Sequence, residues 1–187
     1  MNEDTLFLES PDEWRAWLSS NHETKSGAWL RIAKKNSGMA SITISEALDV
    51  ALCYGWIDSQ RKALDQNFYI QRYSPRSARS PWSQLNRERA EKLIKTGHMT
   101  SAGLKAIALA KQDGRWDAAY QSQKDFEPPA ELLVALKQKS GARKRFNNLD
   151  KTAQYLLVLP LLKATTVKDQ TREIAKIMEK LTEAVTK

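Results

Sequence analysis

The chain has 187 residues, of which 41% are hydrophobic and 28% are charged, and its formal net charge is +8. This composition is ordinary for a folded protein of one or two small domains, and it excludes a chain too polar to bury a core. No segment approaches the roughly 20 consecutive apolar residues that a transmembrane helix needs. A single cysteine, Cys53, excludes an internal disulfide and a zinc site built from cysteines.

The positive charge is concentrated in the middle of the sequence. Residues 1–60 contain 5 Lys and Arg against 9 Asp and Glu, whereas residues 61–124 contain 13 against 5. We expect a basic surface in this middle region, and the alternative is a domain that is basic without a charged partner. The acidic start, with Glu3, Asp4 and Glu9, is unlike a secretory signal, so we expect a cytoplasmic protein.

The first 60 residues alternate the patterns of strands and helices. Phe7 and Leu8 indicate a short opening strand, and residues 28–34 are rich in strand-forming side chains. Between them, Ser10 and Pro11 are typical of a helix start, because serine caps the first turn and proline fits the first helical position. A second helix is predicted by apolar residues spaced at i, i+3, i+4, i+7 and i+8, namely Ile44, Ala47, Leu48, Ala51 and Leu52.

The middle of the chain is predicted to form a hairpin and two more helices. These segments are strands at 57–63 and 67–73 and helices at 81–95 and 101–112. The first of these helices is expected to begin at Ser80 and Pro81, which repeat the cap-then-proline pattern.

The last third of the chain is predicted to be helical. Its helices are expected at roughly 130–139, 142–148, 151–163 and 168–184. We therefore predict an α+β fold, in which a small antiparallel sheet with packed helices is followed by an all-helical C-terminal segment. The expected domains are an α+β module at residues 1–125 and a helical module at residues 126–187. The second module is expected to pack on the first, because about 60 residues are few for independent stability.

Short sequence motifs occur in a fixed order along nearly the whole chain. They are residues 51–58 (ALCYGWID) with 60–62 (QRK), residues 71–76 (QRYSPR), Ser80-x-Trp82-Ser83 with Asn86 and Glu88-Arg89, residues 114–120 (GRWDAAY) and Thr171-Arg172. These motifs resemble those of the YdeI/OmpD-associated, or bacteriocin-protection, family (OmdA-like). The resemblance implies a role in bacteriocin protection, antimicrobial-peptide tolerance or stress response, and it implies no catalytic residues. Although the family name refers to a porin, direct contact with a porin is not expected for a chain without a secretory signal.

The predicted helix from Pro81 carries two polar residues within its apolar stripe. At 100° per residue, Asn86 and Arg89 point to the side that also carries Trp82 and Leu93. Polar groups that face a core are costly unless they are paired, and Asp58 is the predicted partner. One interpretation is a structural ion pair between the helix and the sheet. The other is the polar floor of a ligand pocket.

A second candidate is the basic, aromatic hairpin and the loop that follows it. Its members are Arg61, Lys62, Arg72, Arg76 and Arg79, interleaved with Tyr69, Tyr73 and Trp82. Guanidinium groups suit phosphate or carboxylate, aromatic rings can stack on bases, and a helix start near Pro81 would add backbone donors. The alternative is a solvated hairpin with half-buried rings.

These features together predict a binding protein that holds a small anionic ligand in an Arg-lined cleft between the hairpin and the Pro81 helix. The predicted ligand-binding residues are Trp56, Asp58, Arg61, Arg72, Arg76, Trp82, Asn86 and Arg89. Two alternatives stay open: a nucleic-acid-binding protein, and an enzyme of unknown class that uses Asp58 with Arg61 or Arg89. A carboxylate beside guanidiniums would be a weak base at neutral pH, which disfavours the enzyme.

The remaining chemistry-bearing residues are predicted to be structural. No cofactor or metal is expected, because the two histidines are isolated and no phosphate-cradling glycine loop is present. Cys53 is predicted to lie in the core, as are four of the tryptophans, Trp14, Trp17, Trp29 and Trp116. A basic protein repels cationic peptides, so any protection against them is expected to be indirect.

Overall fold

The computed structural model describes residues 5–183 and has an α+β fold, as predicted. Its strands are β1 (Thr5–Phe7), β2 (Ala28–Ala33), β3 (Trp56–Ala63) and β4 (Phe68–Pro75). The helices of the first 112 residues are α1 (Pro11–Asn21), α2 (Ile44–Cys53), α3 (Gln84–Lys95) and α4 (Ser101–Gln112). The later helices are α5 (Ala130–Gln138), α6 (Ser140–Asn148), α7 (Lys151–Leu162) and α8 (Val167–Glu183).

The four strands form one mixed sheet in the order β1-β2-β4-β3. β4 is antiparallel to both of its neighbours, as the predicted hairpin requires, but β1 is parallel to β2. The prediction of a purely antiparallel sheet is therefore wrong in this detail. The reason is that α1 lies between β1 and β2 in the sequence, and such a crossover brings the second strand back in the same direction.

The helix start predicted from Ser10 and Pro11 is confirmed. The Ser10 hydroxyl accepts a hydrogen bond from the Glu13 backbone N–H, and Pro11 is the first residue of α1. At the start of α2, Thr43 and Glu46 form a reciprocal capping box. These contacts satisfy backbone donors that would otherwise lack a partner at a helix start.

The predicted start of α3 at Pro81 is wrong, because that helix begins three residues later, at Gln84. Trp82 and Gln84 instead exchange backbone hydrogen bonds with Tyr120, at 3.0 and 2.9 Å. This pairing holds residues 82–84 in an extended conformation, and the Ser83 hydroxyl then accepts a hydrogen bond from the backbone N–H of Asn86. The pairing with Tyr120, a residue distant in sequence, therefore prevents the helix from starting at the predicted cap, Ser80.

The chain divides into two compact units. The first contains Met1–Ser80 and Glu88–Gly114, and the second contains Pro81–Arg87 and Arg115–Lys187. Each unit has its own apolar core. The division at residue 125 and the packing of one module on the other stay predictions.

In the first unit, α1 and α2 cover one face of the sheet. Trp14 of α1 is fully buried, and its indole N–H donates to the Ala47 carbonyl of α2 at 3.1 Å. The alternate residues Ala28, Leu30 and Ile32 of β2 point into this core. The sheet therefore has one face buried under helices, as alternation along β2 requires.

The second unit is a helical bundle. Its core includes Leu132 and Leu136 from α5, Phe146 from α6, Val158 from α7 and Ile177 from α8. Within residues 5–183, no helix has both the length and the apolar character needed to cross a membrane.

Candidate ligand-binding face of the sheet

Arg89, predicted to be a paired polar residue on α3, does have a carboxylate partner. Its Nη1 donates to the Asp49 carboxylate at 2.8 Å and to the Ser45 hydroxyl at 3.0 Å, and both residues belong to α2. The prediction that Asp58 is this partner is wrong. The inward-facing cation has the counter-charge that the sequence predicts, but which helix lies beside α3 is decided by tertiary packing.

The other residues predicted to line the cleft are divided between the two units. Trp82 and Asn86 belong to the second unit, where the Trp82 ring lies 4.8 Å from the ring of Trp116. Arg76 belongs to the first unit, where its backbone N–H donates to the Gly55 carbonyl at 2.9 Å. A single cleft formed by all eight residues stays a prediction.

Three of the predicted residues lie on the side of the sheet that faces α1 and α2. Trp56 is buried in the core, and its indole N–H donates to the His22 carbonyl at 3.2 Å. Asp58 is opposite Tyr73 in the strand register. The Arg61 side chain donates to the Gln71 side chain at 3.0 Å.

Tyr73, next to Asp58, is fully buried, and its hydroxyl has no hydrogen-bond partner among the described residues. Burial raises the pKa of Tyr73 far above its ordinary value, and the Asp58 carboxylate raises it further. The hydroxyl therefore stays protonated at neutral pH. Arg89 is bonded to Asp49 rather than to Asp58, so of the two enzyme arrangements predicted for Asp58 only the one with Arg61 stays a prediction.

The opposite face of the sheet has a different composition. Cross-strand neighbours share a face, so the register places Phe7, Arg31, Ile70 and Lys62 in one row across the four strands. The next row contains Trp29 and Arg72, and Phe68 lies at the other end of β4 on the same face. We call this surface the basic aromatic face and define it by Phe7, Trp29, Arg31, Lys62, Phe68 and Arg72.

Arg31 has the most unusual surroundings on the basic aromatic face. Its guanidinium carbon lies 4.2 Å from the ring centre of Phe7 and 4.3 Å from that of Phe68, while the two rings meet edge to face. The buried Nε of Arg31 has no hydrogen-bond partner, and no described residue forms an ion pair with this guanidinium. Two rings thus hold the cation in position and provide no counter-charge.

Two further cations extend this positive surface. The Lys62 ammonium lies 4.6 Å from the ring centre of Trp29. The Arg72 guanidinium donates to the Ser59 hydroxyl at 3.4 Å and to the Ser26 carbonyl at 3.3 Å. None of the strand residues on this face is a carboxylate, although the sheet contains one, Asp58, on the other face.

The sequence interpretation included Arg72 and Lys62 but missed the role of β2. Trp29 was predicted to be core, whereas it is half-buried on the basic aromatic face. In a strand, alternate side chains lie on opposite faces, so the sequence of Ala28–Ala33 already places Trp29 and Arg31 together on one face. The alternating burial of this strand agrees with that placement. The proximity of Phe7 and Phe68 could not be read from the sequence, since it depends on the strand order.

Comparison with protein families gives two matches. Residues 6–106 match a family described as a domain of unknown function (DUF8412). Residues 125–184 match the family described as "Bacteriocin-protection, YdeI or OmpD-Associated". Neither the curated proteins nor the solved structures give a significant match.

Proposed function

Because this chain belongs to the DUF8412 family and matches the YdeI or OmpD-associated bacteriocin-protection family in its C-terminal part, we propose that it is a binding protein whose first unit holds an anionic ligand on the basic aromatic face. The match at residues 125–184 confirms the resemblance to the bacteriocin-protection family in that part of the chain, although most of the motifs quoted for it, between residues 51 and 120, lie outside this match. It assigns no reaction, so the ligand class must be argued from the chemistry of the site.

The position of Arg31 carries this proposal. Among residues 5–183 no carboxylate pairs with this partly buried cation, which makes its burial costly, and an arriving anion would supply a partner. Guanidinium offers parallel N–H donors that fit phosphate or carboxylate oxygens in pairs. The rings of Phe7 and Phe68, at 4.2 and 4.3 Å, restrain the side chain before the ligand arrives, so less conformational entropy is lost on binding.

The neighbouring charges support the same ligand class. Arg72 lies one strand away from Arg31 and offset by two residues, and Lys62 shares a cross-strand row with Arg31. Like charges this close on one sheet face repel each other. An anion that contacts Arg31 and Lys62 lowers that repulsion, whereas a neutral or cationic ligand would not.

The physiological role that we propose is protection of the cell against bacteriocins, as in the description of the family. With a net charge of +8 the protein repels cationic peptides, so protection would be indirect and would depend on the anionic ligand. Expression of Arg31→Gln in place of the wild-type chain should then remove protection without removing the protein. Full protection by the variant would show that protection against bacteriocins does not depend on the basic aromatic face.

Binding can be tested by titrating the protein with inorganic tripolyphosphate in a calorimeter. A hydrogen bond to a charged group contributes about 1.5–3 kcal/mol, so Arg31→Gln should raise the Kd about 10-fold or more. Arg31→Lys keeps the charge and should bind more weakly than the wild type, because the planar pair of donors is lost. Thermal denaturation of each variant shows whether it is folded.

Lys105→Gln provides the matched control. Lys105 is an exposed cation of α4 in the same unit, and its replacement changes the net charge by the same amount as Arg31→Gln. We expect its Kd to equal that of the wild type. Equal weakening by both variants would mean that tripolyphosphate responds to net charge alone, and unchanged binding by a folded Arg31→Gln protein would reject the site.

A further inference from the structure

We propose that the ligand of the basic aromatic face is a single-stranded nucleic acid, with bases stacked on Trp29 and Phe7 and phosphates bound by Arg31, Lys62 and Arg72. This inference rests on the function proposed above and names its ligand class. The proposed anion site needs only the three cations. The aromatic rings beside them are the independent observation that indicates a ligand with flat, apolar groups.

The two rings are accessible. Phe7 is 42% exposed although it is a large apolar side chain, and Trp29 is half-buried rather than enclosed in the core. They lie on adjacent strands and are offset by two residues, since Phe7 is opposite Arg31 and Trp29 is opposite Thr5. Diagonal neighbours of this kind are about 7–8 Å apart, which leaves room for one flat ring on each. The face therefore presents two separate stacking positions.

The cations are placed to bind a phosphate chain between those positions. Arg31 lies on β2 between Phe7 on β1 and Arg72 on β4, so a strand that crosses the sheet would meet these side chains in turn. Lys62 now covers the Trp29 ring from 4.6 Å. Lys62 is exposed and has a flexible four-carbon stem, and its ammonium can leave the ring for a phosphate while a base takes its place. Stacking of a base on an aromatic ring is a stronger contact than an exposed cation–π contact, so this exchange is favourable.

A single strand fits this arrangement better than a duplex. In a duplex the flat sides of the bases are stacked on one another, and only phosphates and base edges are available. Such a ligand would use Arg31, Lys62 and Arg72 and leave the Trp29 and Phe7 rings without a partner. In a single strand each base has a free flat side, and stacking on protein rings is the usual mode of recognition that is insensitive to sequence.

The test compares three fluorescently labelled 12-mers by anisotropy: oligo(dT), an abasic strand with the same phosphodiester backbone, and a duplex. We expect oligo(dT) to bind about 10-fold or more tightly than the abasic strand or the duplex, with an affinity that falls steeply as salt is added. Trp29→Leu should weaken oligo(dT) binding about 10-fold and leave abasic binding unchanged, because it removes a ring and no charge. Arg31→Gln should weaken both.

Intrinsic fluorescence gives a second measurement that does not depend on the stability of Trp29→Leu. Oligo(dT) should quench tryptophan emission of the wild type, and most of this quenching should be absent in the conservative variant Trp29→Phe. Leu104→Ala serves as a control for loss of an exposed apolar side chain, since Leu104 is 46% exposed on α4. It should change neither the affinity nor the quenching.

The outcomes separate the two proposals. The single-strand assignment is wrong, and the anion site stands, if two results are found together. Oligo(dT) and the abasic strand bind equally, and oligo(dT) quenches the emission of Trp29→Phe as much as that of the wild type. Equal or tighter binding of the duplex also overturns the assignment. If neither a strand nor tripolyphosphate binds, both proposals fall.

Discussion

In α4, Gly103 lies directly against the end of α2, where a Cβ built on Gly103 would be 2.5 Å from the carbonyl oxygen of Cys53. The same atom would be 2.8 Å from the carbonyl oxygen of Leu52. Thr100 fixes this approach, because its hydroxyl and backbone N–H both donate to the Cys53 carbonyl. The two helices are therefore in contact through backbone atoms, which cannot move aside as a flexible side chain can.

This contact predicts that Gly103→Ala destabilises the protein. We expect a loss of about 1–3 kcal/mol in the free energy of unfolding, even though alanine favours a helix over glycine by about 1 kcal/mol. Gly141→Ala in α6 is the matched control, because a Cβ there meets nothing within 4 Å. It should be neutral or slightly stabilising. Urea denaturation of both variants measures the difference, and a Gly103→Ala protein as stable as Gly141→Ala would disprove the close contact.

The Arg89–Asp49 ion pair predicts a measurable coupling between α3 and α2. The two side chains are 29% and 39% exposed, so solvent screens the pair and its contribution should be about 0.5 kcal/mol. A double-mutant cycle with Arg89→Met and Asp49→Asn, followed by urea denaturation, gives this value. Combining Arg89→Met with Lys62→Gln, an exposed residue on the face of the sheet opposite to α2, should give additive effects. Additivity in the Arg89–Asp49 cycle as well would show that the pair contributes nothing.

Cys53 is predicted to be unreactive in the folded protein. The thiol is completely buried, and burial raises its pKa above the ordinary value, while the nearby Arg15 opposes this to a smaller extent. Less thiolate and no access should slow its reaction with Ellman's reagent at neutral pH by on the order of 100-fold relative to the denatured chain. An added cysteine at the exposed position Ser20 should react quickly in the native state. Fast labelling of native Cys53 would contradict its burial.

The start of α2 should make stability depend on pH. The backbone N–H and hydroxyl of Thr43 donate to the Glu46 carboxylate at 2.9 and 2.7 Å, which lowers the pKa of Glu46 below its ordinary value of 4.5. Because the folded-state pKa is the lower one, the stabilisation is fully present above about pH 4.5. It is lost as the pH falls through the folded-state pKa.

Thermal denaturation of Glu46→Gln against the wild type tests this dependence. The wild type should be the more stable of the two near neutral pH, and the difference should shrink in acid, since glutamine accepts the same bonds without a charge. In a Thr43→Ala background, which costs about 1 kcal/mol by itself, the pH dependence of the difference should become smaller but persist, because the backbone N–H of residue 43 still donates to the Glu46 carboxylate. A difference that stays constant from neutral to acidic pH would show that the capping box does not involve the carboxylate.

Arg145 is predicted to stabilise the end of α8. Its guanidinium donates to the carbonyl oxygens of Leu181 and Thr182, near the end of α8 as the structure describes it, where cations interact favourably with backbone carbonyls. Replacement by glutamine should cost about 1 kcal/mol and should increase amide hydrogen exchange in that turn. Arg143→Gln, on the exposed side of the same helix α6, should change neither. Unaltered exchange in Arg145→Gln would mean that α8 ends without this support.

Local structure followed from local chemistry. Ser10 and Pro11 predicted the start of α1, and the apolar spacing from Ile44 predicted α2, because both signals act within one or two helical turns. The helical C-terminal region was found from the same periodicity. The start of α3 was misplaced because Tyr120, more than 30 residues later, pairs with the segment that local rules made helical.

The sequence by itself determined the class of fold, the positions of nearly all helices and strands, the resemblance of the C-terminal part to the bacteriocin-protection family and the need for a partner at Arg89. Only the tertiary structure decided that this partner is Asp49, that β1 runs parallel to β2, and that Arg31 lies between Phe7 and Phe68. The physical reason is the distance along the sequence over which each interaction acts. Capping and periodicity depend on neighbouring residues, whereas a charge pair or a stack of rings depends on which strands and helices become neighbours in space.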